Sequence, residues 1–301
     1  MDRFLGIFDH VRAWAWASVV ANSVIIFTGG VVRLTGSGLG CPTWPRCTEE
    51  SFVPHRSLGF HGVIEFGNRM LTYVLIAVAI ATFVAVWRWA HTSRSLRRHA
   101  GILAVGVPFQ GVVGGITVLT DLNPWIVSIH LLLSLALVAG SIILVLRVSD
   151  PARQAMTGLP GRLVALVYVL TWVAVYLGTV VTGSGPHAGD AQAPRNDLDP
   201  QLWSRIHAGS VWALVLATVV LVVVLRGTPA FRAALVLLGV ELAQGLIGYV
   251  QYFTDLPIAL VAAHLVGAAV LVAAATFVLG RSRGVGMPGT DVPAVRDVVH
   301  Q

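Results

Sequence analysis

His61, His130, His207 and His264 fall within or at the edge of long apolar runs. An ionisable side chain is costly in such a place, and when it occurs it is usually functional. A neutral imidazole is a good ligand for haem iron, and two from facing helices can hold one haem in a bundle core. Zinc would need a third or fourth ligand beside each pair, and no cysteine lies inside an apolar run. A proton relay would need a carboxylate beside each histidine, and the runs contain only Glu65 and Glu241. Two histidines per half of the chain, on alternate runs, therefore point to one haem site per half: His61 with His130, and His207 with His264. Arg33, Arg56, Arg195 and Arg205 border the same runs. Each is placed either to pair with a haem propionate or to be a solvated loop charge.

His61, Glu65 and Asn68 stand at i, i+4 and i+7, on one face of a helix. Arg69 lies one turn beyond Glu65 and suits a structural ion pair with it. The other reading places Glu65 beside a reacting group, as an acid or base or as a stabiliser of developing positive charge. The corresponding stretch of the second half, Ile206-His207-Ala208-Gly209-Ser210-Val211-Trp212, has no carboxylate. The half with Glu65 is thus expected to carry out chemistry, and the other to keep a fixed haem. Glu241, one turn before Gln244, reads as hydrogen-bonded packing. Cys41 and Cys47, six apart in a loop with two prolines, can close a disulfide in an oxidising compartment, as a staple or as a redox element.

Apolar residues make up 56% of the chain and charged ones 11%, and the mean hydropathy is +0.79, far outside the range of a soluble domain. The net charge of +6 would suit a nucleic-acid partner. The arginines, however, separate apolar runs instead of forming a patch, so no nucleic acid is expected. A membrane helix needs about 20 apolar residues. Eight runs meet this length, near 13–32, 60–87, 100–120, 122–146, 163–183, 206–225, 233–254 and 256–280. The first has no small-residue cleavage site behind it and reads as a retained helix. Arginines concentrate between the second and third runs, the fourth and fifth, the sixth and seventh, and near both ends of the chain. The positive-inside rule then puts both termini in the cytoplasm and the histidines towards the outer face. The tail at 286–301 reads as disordered.

The halves repeat. Thr35-Gly36-Ser37-Gly38 returns as Thr182-Gly183-Ser184-Gly185, Gln110-Gly111 as Gln244-Gly245, and Thr120-Asp121-Leu122 as Thr254-Asp255-Leu256. His130 returns as His264, and His61 is matched with His207. Four spans per half keep the same orientation. The sequence therefore predicts an all-α polytopic protein of two duplicated four-helix bundles, 1–150 and 151–285, related by a pseudo-twofold axis along the membrane normal.

With these halves, the Thr-Gly-Ser-Gly-Leu-Gly-Cys-Pro run at 35–42, the cysteine loop, Glu65-Phe66-Gly67-Asn68-Arg69 and the four histidines, the chain resembles the haem A synthases over residues 12–280. The resemblance implies oxidation of the C8 methyl of haem O to a formyl group by successive hydroxylation. It implies haem b on His207 and His264, a substrate haem at His61 and His130, and catalysis involving Glu65. Haem O synthase, an electron donor and the bilayer would be partners, and a homo-oligomer is compatible with the family. One departure stands out: many members read Glu-aromatic-x-His-Arg, whereas this chain has Asn68. Either His61 ligates from a shifted position or the substrate iron keeps His130 alone. A dihaem b-type electron carrier and a transporter are the rival readings; the first would place its haems towards opposite faces.

Overall fold

A computed structural model describes residues 10–149 and 154–285. The expected tail at 286–301 lies outside the described residues. Among them are eight long helices and no strands. They are α1 (Val11–Leu34), α2 (Gly59–Arg88), α3 (Arg94–Leu119), α4 (Pro124–Ser149), α5 (Gly158–Ser184), α6 (Pro200–Val224), α7 (Phe231–Phe253) and α8 (Ile258–Ser282). All eight are long and apolar enough to cross a membrane, so the expectation of eight spans holds. Helix is what such a sequence must form, because hydrocarbon supplies no partners for a free backbone N–H or C=O.

Local chemistry sets the helix starts. Ser93 caps α3 by accepting from the Leu96 amide at 3.1 Å, and Asp199 caps α6 from Leu202 at 2.8 Å, just before Pro200 at the first position. Asn123 accepts from Trp125 at 3.0 Å and fixes the start of α4. The α3–α4 and α7–α8 connections have the same form. Asp121 and Leu122 both take left-handed φ (51° and 61°), as do Asp255 and Leu256 (both 56°). In each, the leucine amide reaches back to a carbonyl five residues earlier, Thr117 at 2.8 Å and Gln251 at 2.9 Å. Two consecutive non-glycine residues at positive φ are unusual, and these hairpins set the register at which α4 and α8 begin.

α1 packs on α2 and α4, and α3 packs on the same two; α5 and α7 each pack on α6 and α8. Contacts of α8 with α4 and α1, and of α4 with α5, join the two groups. The joining surface is apolar, built from Ile26, Leu135, Val138, Val175, Ala269 and Val272. Connections alternate between the two ends, so the ends of α1 and α5 and the starts of α2, α4, α6 and α8 share one end. That end also carries the cysteine loop and is called the disulfide end below.

Candidate functional site

His207 lies seven residues into α6 and His264 six residues into α8. Their ring centres are 6.5 Å apart with planes at 89°. Two imidazoles on one metal need about 6 Å between centres, from bonds of about 2 Å on each side plus about 1 Å from nitrogen to ring centre. Each Nδ1 is buried and has no hydrogen-bond partner. Each ring also faces a glycine on the neighbouring helix. A Cβ at Gly178 of α5 would meet His207 Cε1 at 3.3 Å, and one at Gly248 of α7 would meet His264 Cε1 at 3.4 Å. Among the described residues no three His, Cys, Asp or Glu side chains gather as metal ligands. A facing pair of buried rings at this spacing, each backed by a glycine and each with an unpartnered Nδ1, fits a haem iron.

His130, six residues into α4, occupies the same kind of seat. A Cβ at Gly114 of α3 would meet its Cε1 at 3.3 Å, and its Nδ1 is likewise buried without a partner. Gln110 supports the turn it stands on, donating to the His130 carbonyl at 2.9 Å and to Ser134 Oγ at 2.8 Å.

The rest of the first-half set does not gather around His130. His61 lies only two residues into α2, is exposed, and its Nδ1 shares a hydrogen bond of 2.9 Å with Ser37 Oγ. Asn68, nine residues into α2, is nearer in depth to His207 on α6 than His61 is. Its Oδ1 accepts from Thr28 Oγ1 at 2.8 Å. His61 thus lies five residues, about one and a half turns, nearer the start of its helix than His207 does. The loop before α2 is longer than the one before α6, which moved the apparent register.

Glu65 is buried, at 4% exposure, and sits inside a cage. Its Oε2 accepts from the Cys41 amide and its Oε1 from Arg69. Arg69 then turns its remaining donors to the cysteine loop, reaching the carbonyls of Cys41 at 2.8 Å, Thr43 at 2.9 Å and Arg46 at 3.1 Å. The loop is closed by the Cys41–Cys47 disulfide, as its spacing allowed. It leans on α3 through Trp44, whose indole fills the space a side chain at Gly115 would take. Gly115 follows Gly114, the glycine beneath His130, so the caged ion pair and the histidine seat meet through this loop. His61, Glu65 and Asn68 do share one helix face, turned towards α1 and the segment after it.

Glu241 is 2% exposed and accepts from Thr218 Oγ1 at 2.8 Å, as hydrogen-bonded packing requires. A cleft of about 450 Å³ between α4, α5 and α8 opens at the end away from the disulfide; none of the four histidines lines it. Sequence reasoning missed the glycine seats. A signal existed, because Gly114 and Gly248 recur at the same spacing as His130 and His264. It also missed Ser37 and Trp44, whose partners are remote in sequence.

Residues 12–276 match the family described as cytochrome oxidase assembly protein. Among curated proteins the chain is similar to a heme A synthase of Listeria welshimeri, 26% identical over 178 residues, covering 57% of this chain and 58% of that protein. A heme A synthase of Methylobacterium radiotolerans is 29% identical over 227 residues, 64% of this chain and 61% of that protein. One of Geobacillus thermodenitrificans is 28% identical over 128 residues, 40% and 37% of the two chains. The matched part thus spans about six-tenths or less of these relatives' own length. The family match covers most of the chain and includes both halves, the caged glutamate, the disulfide loop and all four histidines: the chain belongs to the cytochrome oxidase assembly protein family, that of the haem A synthases.

Proposed function

We propose that the chain converts haem O to haem A, oxidising the C8 methyl group to a formyl group through a hydroxylated intermediate, a four-electron change whose oxygen atom and oxidant come from outside the chain. The observation that carries this reading is the asymmetry between two similar seats. The second half brings His207 and His264 to 6.5 Å across one gap, which suits a permanently held haem b. The first half offers one glycine-backed histidine, His130, while Asn68 is engaged by Thr28. A site with one firm ligand suits a haem that must enter, react and leave. A dihaem carrier would need two equivalent pairs.

The resident haem, when bound, supplies one-electron redox chemistry next to the substrate site. The chain's own residues do the rest. His130 binds the substrate iron and sets the depth of the macrocycle. His61 is the second ligand in this proposal, and takes that part by giving up its Ser37 hydrogen bond. Glu65 keeps a fixed negative charge under the disulfide loop, where it stabilises positive charge developing at the methyl carbon or accepts its proton. The loop, held by Arg69 and braced by Trp44, excludes water from that side. Haem O synthase as the source of substrate, an electron donor and a homo-oligomeric assembly complete the proposal. The disulfide end faces outward with both termini in the cytoplasm, supported by the arginine distribution and by the disulfide itself. The two four-helix groups are proposed as copies related by an axis along the membrane normal, supported by the matching hairpins.

The deciding experiment expresses the chain with and without haem O synthase and separates the extracted pigments. Haem A appearing only when both are present is the expected result. Bound haem b with no conversion would overturn the enzyme reading in favour of the carrier. Replacing His207 or His264 by alanine should remove the resident haem b, whereas Glu65→Ala should leave it bound and abolish conversion.

A further inference from the structure

Two arginines at the disulfide end are held in a way that simple loop charges are not. Arg33 closes α1 and reaches across to the other group of helices. It donates from Nε to the His187 carbonyl and from Nη2 to the Thr182 carbonyl at 2.8 Å. The segment it grips is docked on the loop after α1 by Gly38, whose amide donates to the Gly189 carbonyl at 2.8 Å. Gly189 takes φ of +103°, and a Cβ there would come within 3.8 Å of the Arg33 side chain. His187 in turn bonds through Nε2 with the Leu256 carbonyl at 3.1 Å, at the start of the helix that carries His264. Arg195, from the same segment, donates to the Ala193 carbonyl and, at 3.0 Å, to the Pro186 carbonyl. The two guanidinium groups thus grip adjacent carbonyls of one short segment, those of His187 and Pro186.

No carboxylate neutralises either group: among the described residues the recorded ion pair is Glu65 with Arg69. Carbonyls fix the orientation of the two cations and leave their net charge uncompensated, and each retains N–H donors beyond those used. Two like charges held together at a partly buried seam are unfavourable unless an anion completes the site. The other rim arginines, Arg56 and Arg205, are exposed and make no such contacts.

The position selects the anion. Gly30 of α1 lies against Leu265, the residue after His264. Arg33 is three residues further along, about 4.5 Å nearer the disulfide end at 1.5 Å per residue. It therefore stands on the disulfide side of Leu265, the neighbour of His264 on the same helix. We propose that Arg33 and Arg195 form a carboxylate clamp for the propionates of the haem seated on His207 and His264. The proposal rests on that haem seat.

The test uses purified full-length protein, as prepared and after exchange of its pigment for haem or for haem dimethyl ester, whose propionates carry no charge. Transfer of the pigment to apomyoglobin is timed for wild type, Arg33→Gln, Arg195→Gln and Arg33→Lys. Each glutamine variant should release haem at least about tenfold faster, with Arg33→Lys intermediate and the bis-imidazole absorbance unchanged. Its midpoint potential should fall, because a cation beside the propionates has been lost. Wild type carrying the ester should behave like Arg33→Gln carrying haem, and esterification should not alter Arg33→Gln further. If wild type holds haem and its ester equally well, the clamp is wrong, and this comparison stands even if a variant fails to fold. Equal loss of both pigments from Arg33→Gln would also overturn it, by showing a purely structural arginine. Rates that follow the anionic lipid content of the vesicles and ignore esterification would assign the site to a lipid headgroup and overturn it too. A separate control examines the seat: if His207→Ala keeps the bis-imidazole spectrum, the haem seat fails, irrespective of the arginines.

Discussion

Glu65 has each carboxylate oxygen engaged, one by Arg69 and one by the Cys41 amide. This separates two contributions that a plain alanine variant would merge. Glu65→Gln removes the charge and keeps an oxygen for the Cys41 amide, while Glu65→Ala removes both and leaves the half-buried Arg69 guanidinium with loop carbonyls alone. Both variants lose the charge pair, but only alanine also leaves the Cys41 amide without an acceptor, which costs about 1–3 kcal/mol for a buried donor, so Glu65→Ala should lower the thermal midpoint more than Glu65→Gln. If the charge itself serves the oxidation, Glu65→Gln still abolishes haem A formation in extracted pigments. A Gln variant with near-normal conversion would reduce Glu65 to the anchor of the loop. His61→Ala should leave the resident haem b spectrum unchanged, since its Ser37 contact is remote from the His207–His264 gap; any effect should appear in haem O binding alone. The i, i+4, i+7 spacing showed that His61, Glu65 and Asn68 share a face. It could not show that their partners are Ser37, Cys41 and Thr28, because helical periodicity gives direction and not neighbour.

The glycines opposite the histidines act at the level of helix pairs. Filling Gly178 or Gly248 with valine drives two extra methyl groups towards a ring already about 3.3 Å from where a Cβ would lie. Overpacking of this kind costs about 1–3 kcal/mol, and here the ring is the group that must yield. Gly178→Val and Gly248→Val should therefore lose most of the bound haem b at near-normal protein levels. Gly245→Ala, which meets nothing within 4 Å, serves as the control. Retained haem in both valine variants would show that the rings do not need these seats. Helix existence was legible throughout, because apolar runs of membrane length, broken by charge only at Glu65, Arg69 and Glu241, favour helix. Register was less so: the repeated Thr-Asp-Leu hairpins placed His130 and His264 at equal depth, whereas the unequal loops before α2 and α6 hid the shallower position of His61 relative to His207.

For the whole molecule, the joining surface around Leu135, Val138, Ala269 and Val272 brings α4, which carries His130, against α8, which carries His264. The two proposed haem sites thus stand on directly packed helices. Pigment titration should find one haem per chain when haem O is absent and approach two when it is supplied. A stoichiometry of two haem b in cells lacking haem O synthase would favour the carrier. The expectation of a duplicated plan rested on paired motifs in sequence, and the packing groups α1–α4 and α5–α8 as that expectation requires. The contacts that join the groups were not, since they consist of ordinary alanine, valine and leucine side chains.

Arg69 also bears on how the protein is made. The helix that contains it must enter the bilayer carrying a guanidinium, an expensive passenger for a translocon to release into lipid. Its relief comes from Glu65 on the same helix and from carbonyls of the loop synthesised just before it. The cysteine loop thus supplies, from the same chain, the acceptors that this charge meets in the folded protein. A Gly40→Val change would press a side chain into the His61 backbone and unseat that loop. Its first effect should be failed insertion, seen as less protein in the membrane, with normal turnover per surviving molecule.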